Sequence, residues 1–324
     1  MSFLKSFLPA SFMAAATLSA IAPMQAQAAS FVDYNLVVFE DLTSNSEVEG
    51  NAFIGGNLEG SSSNFCTHCY NGGSYAPSDG FGLKVVGDIN GNPKQVNNGA
   101  NAAYGGVLNS IVNTNGGGTL TTSTSLTAEL NHLRTSLTAT SSHLSTLASN
   151  SSVLVPGQQP GAVRFNSSGD STAIFNISAA DLFSQKTQQI ELNLNGSDTA
   201  IINVSGSAAK WQQGNMVGGL VSDAVQQKVL WNFYEAENLE FNNALHGSLL
   251  APMAHLINRT ELEGNIVIKS LDQKGEVHLP VFTGIVPPLP PIDDEPQPIP
   301  EPSTVIGSLA VLLVGRTLKK KQSA

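Results

Sequence analysis

Apolar residues come in short bursts broken by Gly and Asn, a pattern that predicts many brief β-strands. Leu36-Val37-Val38-Phe39, the segment 48–58 and Leu83-Lys84-Val85-Val86 are the first of them. The pattern changes over residues 121–149. There Leu126, Leu130, Leu133, Leu137, Leu144 and Leu147 recur at helical spacing, and Thr and Ser fill the other positions. One apolar stripe predicts one long helix over about 121–149, packed along the side of a β domain. A coiled-coil seam would carry charge pairs beside the stripe, and almost none are present. From residue 172 the β clusters resume at 173–177, 190–194, 200–204, 229–233, 245–250 and 262–268, the last three starting 16 to 17 residues apart. That interval suits one rung of a β-solenoid, in which two or three short strands are joined by tight turns. Val48-Glu49-Gly50-Asn51 returns as Leu262-Glu263-Gly264-Asn265, which places the two β regions in one repetitive structure. The fold class expected is therefore mainly β, a β-solenoid-like domain over residues 29–284 with one packed helix. A β-sandwich has strands of the same length and is the alternative.

The two ends read as addresses rather than fold. Lys5, the apolar run 7–21 and Ala26-Gln27-Ala28 form a signal peptide with cleavage after Ala28. At the other end, proline dominates residues 285–302, which predicts an extended polyproline II linker rising about 3.1 Å per residue. Pro300-Glu301-Pro302 then precedes a short apolar run and the cations Arg316, Lys319, Lys320 and Lys321. Such charges stay on the cytoplasmic side. The 16 residues from Ser303 to Leu318 fall short of the ~20 a permanent spanning helix needs. This tail over 300–324 resembles the PEP-CTERM sorting signal of Gram-negative bacteria. The resemblance implies an exosortase as processing partner, a transient inner-membrane anchor, and a final place at the cell surface or in the extracellular matrix.

Charged residues make up only 12% of the 324, and the formal net charge is −10. Residues 29–301 alone hold 10 Lys+Arg against 25 Asp+Glu, a net −15. Such a surface repels nucleic acid and anionic membranes, so no nucleic-acid partner is expected. Neutral glycans, or anionic polymers bridged by divalent cations, remain as partners.

Candidate chemistry is sparse. The only cysteines stand as Cys66-Thr67-His68-Cys69. In an exported chain they read first as a local disulfide, with a redox motif or a metal site as alternatives that their loop-like flanks disfavour. Glu276 and His278, two apart on a strand, share a face, and Glu235, Glu237, Glu261 and Glu263 lie near in sequence, so paired carboxylates for polysaccharide cleavage can be drawn. Solvent-facing or turn residues account for the same pattern. Asp88-Ile89-Asn90-Gly91-Asn92 looks like half a calcium loop without its bidentate Glu and is read as a turn. Neither metal nor cofactor is expected.

The stretches 34–58, Val229-Leu230-Trp231-Asn232-Phe233-Tyr234, 247–252, Leu262-Glu263-Gly264-Asn265 and 275–284 together resemble the choice-of-anchor A family of bacterial surface proteins. The chain departs from it at Met253, where Asn often follows Ala-Pro. The resemblance implies a right-handed β-solenoid with a helix alongside and an adhesin-like or matrix-organising task. It brings no catalytic residues. A polysaccharide-active enzyme is one alternative function. An ice-binding protein is another, and would need a flat face of regularly spaced Thr, whereas Thr here concentrates on the predicted helix.

Overall fold

A computed structural model of the protein describes residues 31–70 and 75–290. Ala28, Pro300, Glu301, Pro302 and the basic tail lie outside the described residues. What is described is a parallel β-solenoid with one long helix. All strand pairs are parallel except Ser152–Leu154 with Gly161–Asn166. Stacked parallel rungs replace the antiparallel sheets that the sandwich alternative requires.

The stack is not wound in chain order. Its first strand, Leu36–Val38, sits in the middle, flanked by Ile266–Gln273 on one side and Ala52–Ile54 on the other. The N-terminal rungs build outward through Phe81–Val85 and Asn101–Tyr104 to Leu120–Thr122. The helix then carries the chain back past the seam to the opposite end. From there Thr172–Ser178, Thr199–Ser205, Val229–Asn232 and Ser248–Asn258 lead home to the centre. Rungs beside the seam and at the N-terminal end span 16 to 19 residues, whereas the one from Ala52 to Leu83 takes 31 and the outer C-terminal ones take 27 and 29.

Three faces result. The first holds the strands just named and lies under the helix. The second runs from Ala208–Trp211 and Asn238–Phe241 through the later halves of Ser248–Asn258 and Ile266–Gln273 to Leu42–Ser44 and Leu58–Gly60. The third contains Val112–Thr114, Lys94–Val96, Ser63–Phe65, Glu47–Val48, Val277–His278 and Leu262–Glu263. In the C-terminal half the four-stranded sheet ending in Asn215–Val217 takes the third position.

Alternation explains the apolar bursts. Leu36 and Val38 point into the solenoid, while Val37 points out against the helix, so both sides of the strand are buried and the run is continuous. The same outward row contains Leu250, Val267 and Phe53, all buried beneath the helix. The helix spans Leu126–Ser145, shorter than the 121–149 expected. Thr121 and Thr122 belong instead to the strand Leu120–Thr122, where β-branched residues pair readily with Ala103 and Tyr104. Leu126, Leu130, Leu133, Leu137 and Leu144 are buried, and Leu147 packs half-buried beyond the helix end. Twenty residues at 1.5 Å give about 30 Å, the reach of six strand spacings of ~4.8 Å.

Polar contacts fix that docking. Asn176, Asn203 and Asn232 stack in register and bond to one another at 3.0 and 2.8 Å. Asn203 Nδ2 donates to the Leu144 carbonyl at 2.8 Å, and Asn232 Nδ2 to that of Ser141 at 3.0 Å. Near the other helix end, Lys84 Nζ donates to Glu129 Oε1 at 2.8 Å and to Tyr34 at 2.9 Å, while Tyr34 also bonds Glu129. Asp79 pairs with the same ammonium at 2.6 Å, so the buried charge is compensated.

The repeated Val/Leu-Glu-Gly-Asn segments occupy the same corner, two rungs apart, with Val277 between their first residues. Asn35, the third member of that corner, bonds Asn51, Gly50 and the carbonyl of Gly264, and Asn265 bonds the carbonyl of Tyr34 at 2.7 Å. A side chain at Gly50 would put its Cβ 2.6 Å from that of Asn35, and Gly264 has φ +104°, so both positions require glycine. These amides join residues some 230 apart and close the seam.

Candidate functional site

With the first face covered by the helix, the two remaining faces are where a partner can bind. The third face carries the residues singled out from sequence. Glu276 and His278 do meet, Oε2 to Nε2 at 2.7 Å. Glu263 lies on the other side of the same imidazole, 3.9 Å from Nδ1, and reaches His246 at 3.6 Å. Glu49 and His68, 3.4 Å apart, continue the row on the N-terminal side. The bond from Glu263 raises the His278 pKa to about 9, against the opposing effect of burial. Burial pushes Glu263 up, but bonds from His246 and His278 outweigh it and hold the carboxyl at about 2. Glu263 and His278 are therefore both ionised at neutral pH and form an ion pair.

Glu235 and Glu237 do not join them. Glu235 accepts from the backbone N–H of Gly206 at 2.6 Å, and Glu237 belongs to the corner between the first and second faces. Asp88 sits in a turn, where its Oδ1 accepts the N–H of Val107 at 2.6 Å. Cys66 and Cys69 are joined by a disulfide and are fully buried. Among the described residues, no group of three or more His, Cys, Asp or Glu is placed to hold a metal ion.

The recess that sequence reasoning missed lies on and beside the second face. A cleft of about 740 Å³ runs between the helix and the sheet corner, floored by Phe39, Pro252 and Met253 and flanked by Arg134, Glu237 and Lys269. Arg134 is fixed there, donating to the Phe39 carbonyl at 2.6 Å with its guanidinium 5.6 Å over the Phe39 ring. A second cleft of about 290 Å³ is formed by Lys210, Glu240 and Ile257 with their neighbours. Both clefts are lined by Asn238 and His255, so they form one trough. His255 is oriented by Ser270 at 2.9 Å. Lys210 bonds Glu240 at 2.9 Å and holds its carboxyl below the usual range. Along the sheet, Lys210, Glu240, Ile257, Asp272, Thr43 and Glu59 occupy one outward row, a group every ~4.8 Å. Apolar patches and convergent polar groups at that spacing can hold an extended ligand. One signal in the sequence pointed here: Met253, an apolar residue 43% exposed where the resemblance leads one to expect Asn.

Fold and site together define a helix-flanked parallel β-solenoid with a polar, trough-bearing side. The family described as "Putative Ice-binding-like adhesive domain" matches residues 27–279, and the chain belongs to it. Two solved structures are similar in part. An ice binding protein from an Antarctic bacterium, Flavobacteriaceae, is 13% identical, with 80% of this chain and 82% of that one covered and a TM-score of 0.29. An ice binding protein from an Antarctic Biological Consortium is 10% identical, with 62% and 88% covered and a TM-score of 0.25. No curated protein matches.

Proposed function

We propose that the protein is a non-enzymatic, adhesin-like component of the cell surface or extracellular matrix, and that the trough binds a repeating polymer such as an extracellular polysaccharide. Membership of an adhesive-domain family supports the class. The observation that carries the site is the trough itself, with exposed Met253 and half-buried Ile257 set among Lys210, Glu240 and Asn238. Sugars present apolar ring faces and hydroxyls in alternation, and such a surface meets both. Export by the signal peptide, choice-of-anchor A kinship and exosortase processing at Pro300-Glu301-Pro302 complete the reading. Intact mass of the extracellular form would show both ends missing, and a secreted form that keeps Lys319, Lys320 and Lys321 would contradict the sorting step.

Affinity spread over several weak contacts resists single changes, so the test combines two. Lys210→Glu with Met253→Glu should weaken binding of the full chain to matrix polysaccharide by about tenfold or more, with thermal stability unchanged. Unaltered binding would remove the trough from the account.

The family description favours a second reading, ice binding. Against it, Thr43 is the only threonine in the outward row of the second face, and the corresponding third-face positions Glu47, Asn64, Gln95 and Asn113 include none. Inhibition of ice recrystallisation by the full chain, lost on changing Asp272, Thr43 and Glu59 of the outward row but kept in the Lys210→Glu, Met253→Glu variant, would establish this reading instead.

A further inference from the structure

The two ends of the solenoid are finished differently. At the C-terminal-half end, the edge strand Thr172–Ser178 is sealed by the chain leaving the helix. Asn150 donates to the Thr172 and Ile174 carbonyls at 2.9 and 3.2 Å and accepts the Ile174 N–H at 2.8 Å. The antiparallel strand Ser152–Leu154 covers the neighbouring sheet edge. The opposite end, residues 105–122, has no such cover among the described residues. Val112–Thr114 and Leu120–Thr122 stand last in their sheets, with one hydrogen-bonding side unpaired. Val107, Leu108 and Ile111 are 58%, 36% and 61% exposed in this one rung.

A corner ladder stops at the same place. Asp41 accepts the N–H of Asn57 at 2.7 Å, Asn57 that of Asp88 at 2.9 Å, and Asp88 that of Val107. The next acceptor position is held by Val107, which offers nothing to a further rung. Nor does the rung carry any device against pairing. Residues 105–122 contain no charged side chain, in a protein of net charge −10. Two copies repel each other over the rest of their surfaces, but not here.

We infer that this rung is a self-association surface, and that two copies of the chain join end to end through it. The occupant is a second copy of the same end. At the opposite end Asn150 takes up the Thr172–Ser178 edge, and of the two strands left open there Ser152–Leu154 runs antiparallel to the stack and Ala208–Trp211 carries the charged Lys210, so neither repeats the uncharged parallel edge of residues 105–122. An isologous contact of this kind closes as a dimer rather than a filament. A two-fold axis at Asn113 sets Val112–Thr114 antiparallel against its own copy and covers Leu108 and Ile111 from both sides. Such a dimer presents two troughs to one polymer and raises avidity without new contacts.

The test is sedimentation velocity of the full chain over a range of concentrations, in mild detergent so that the apolar terminal runs do not associate. The parent should dimerise. Ile111→Lys, at an exposed position, sets like charges face to face and should weaken the dimer about a hundredfold while leaving the melting temperature unchanged. Asn113→Cys should form a disulfide-linked dimer on mild oxidation, since the native cysteines are already paired. A parent that stays monomeric overturns the inference. So does a dimer that survives Ile111→Lys but is lost with Leu154→Lys at the sealed end.

Discussion

The two halves of the solenoid share rung geometry but fill it differently. In one inward row, Trp231, Leu249 and Ile266 of the C-terminal half lead to Leu36, Ala52, Leu83 and Ala102 of the N-terminal half. The C-terminal interior is aromatic. Trp231 meets Phe165 edge-on at 5.8 Å, and Phe183 stacks on Trp211 at 5.2 Å. The N-terminal interior tapers to alanine, and there the fully buried Lys94 donates to the Ser61 and Gly60 carbonyls at 2.8 and 3.3 Å. The 27- and 29-residue rungs of the C-terminal half enclose the rings, whereas the 31 residues from Ala52 to Leu83 include the loop that holds the Cys66–Cys69 disulfide. The lesson is that parallel rungs fix spacing along the stack but not its cross-section, which side-chain volume sets. The wide half supplies most of the trough and ends on the Asn150 cap, whereas the narrow half ends on the uncharged edge of residues 105–122.

The sharpest way to break the comparison is to hollow the wide half. Trp231 is fully buried and its indole N–H donates to the His246 carbonyl at 3.0 Å. Trp231→Ala should cost about 3–5 kcal/mol in denaturant unfolding, against about 2–4 kcal/mol for Leu83→Ala in the narrow half. Equal losses would mean that the aromatic interior gives the wide half no special stability. Next is the helix that bridges both halves: Leu133→Asp sets an unpaired charge beneath it and should cost about 3 kcal/mol or more. A melting curve matching the parent would show the stripe to be exposed.

A smaller effect is expected from the asparagine ladder, which serves only the C-terminal half. Asn232→Ala strips Ser141 and Asn203 of partners in a buried site and should cost about 1–3 kcal/mol. The smallest concerns pH. His278 has its pKa raised from 6.5 to about 9, so its contribution is whole below 6.5 and falls as pH rises through about 9. Glu263 has its pKa lowered from 4.5 to about 2, so its contribution is whole above 4.5 and falls as pH drops toward about 2. The pair therefore contributes most between 4.5 and 6.5. Both side chains are partly solvated, so screening leaves roughly 1 kcal/mol. Glu263→Gln should flatten that part of the stability–pH curve. An unchanged curve would place the pH dependence elsewhere.

Much of the fold was legible because alternation and leucine spacing depend on neighbours in sequence. The strand clusters, the helix face and the repeated Glu-Gly-Asn corner could all be read that way. Thr121 and Thr122 could not: a stripe shows which face is buried, not where a rung ends and a helix begins. The winding order was also hidden, because Leu36 pairs with Ile266 and any inward aliphatic strand would satisfy either neighbour. The trough was illegible for a similar reason. Arg134, Lys210, Met253 and Lys269 come from the helix and three rungs, with no spacing rule to join them. Glu276 and His278 drew notice because they lie two apart in sequence, and their short bond is what that spacing on a strand produces.

The central claim is that the domain binds its polymer without cleaving it. The direct measurement incubates the full chain with extracellular matrix polysaccharide, following bound polymer and newly released reducing ends in the same sample. The account predicts saturable binding with no release, and binding within a few-fold of the parent for the Glu276→Ala, His278→Ala double variant. Reducing ends that accumulate with the parent and vanish with the double variant would contradict it and establish an enzyme.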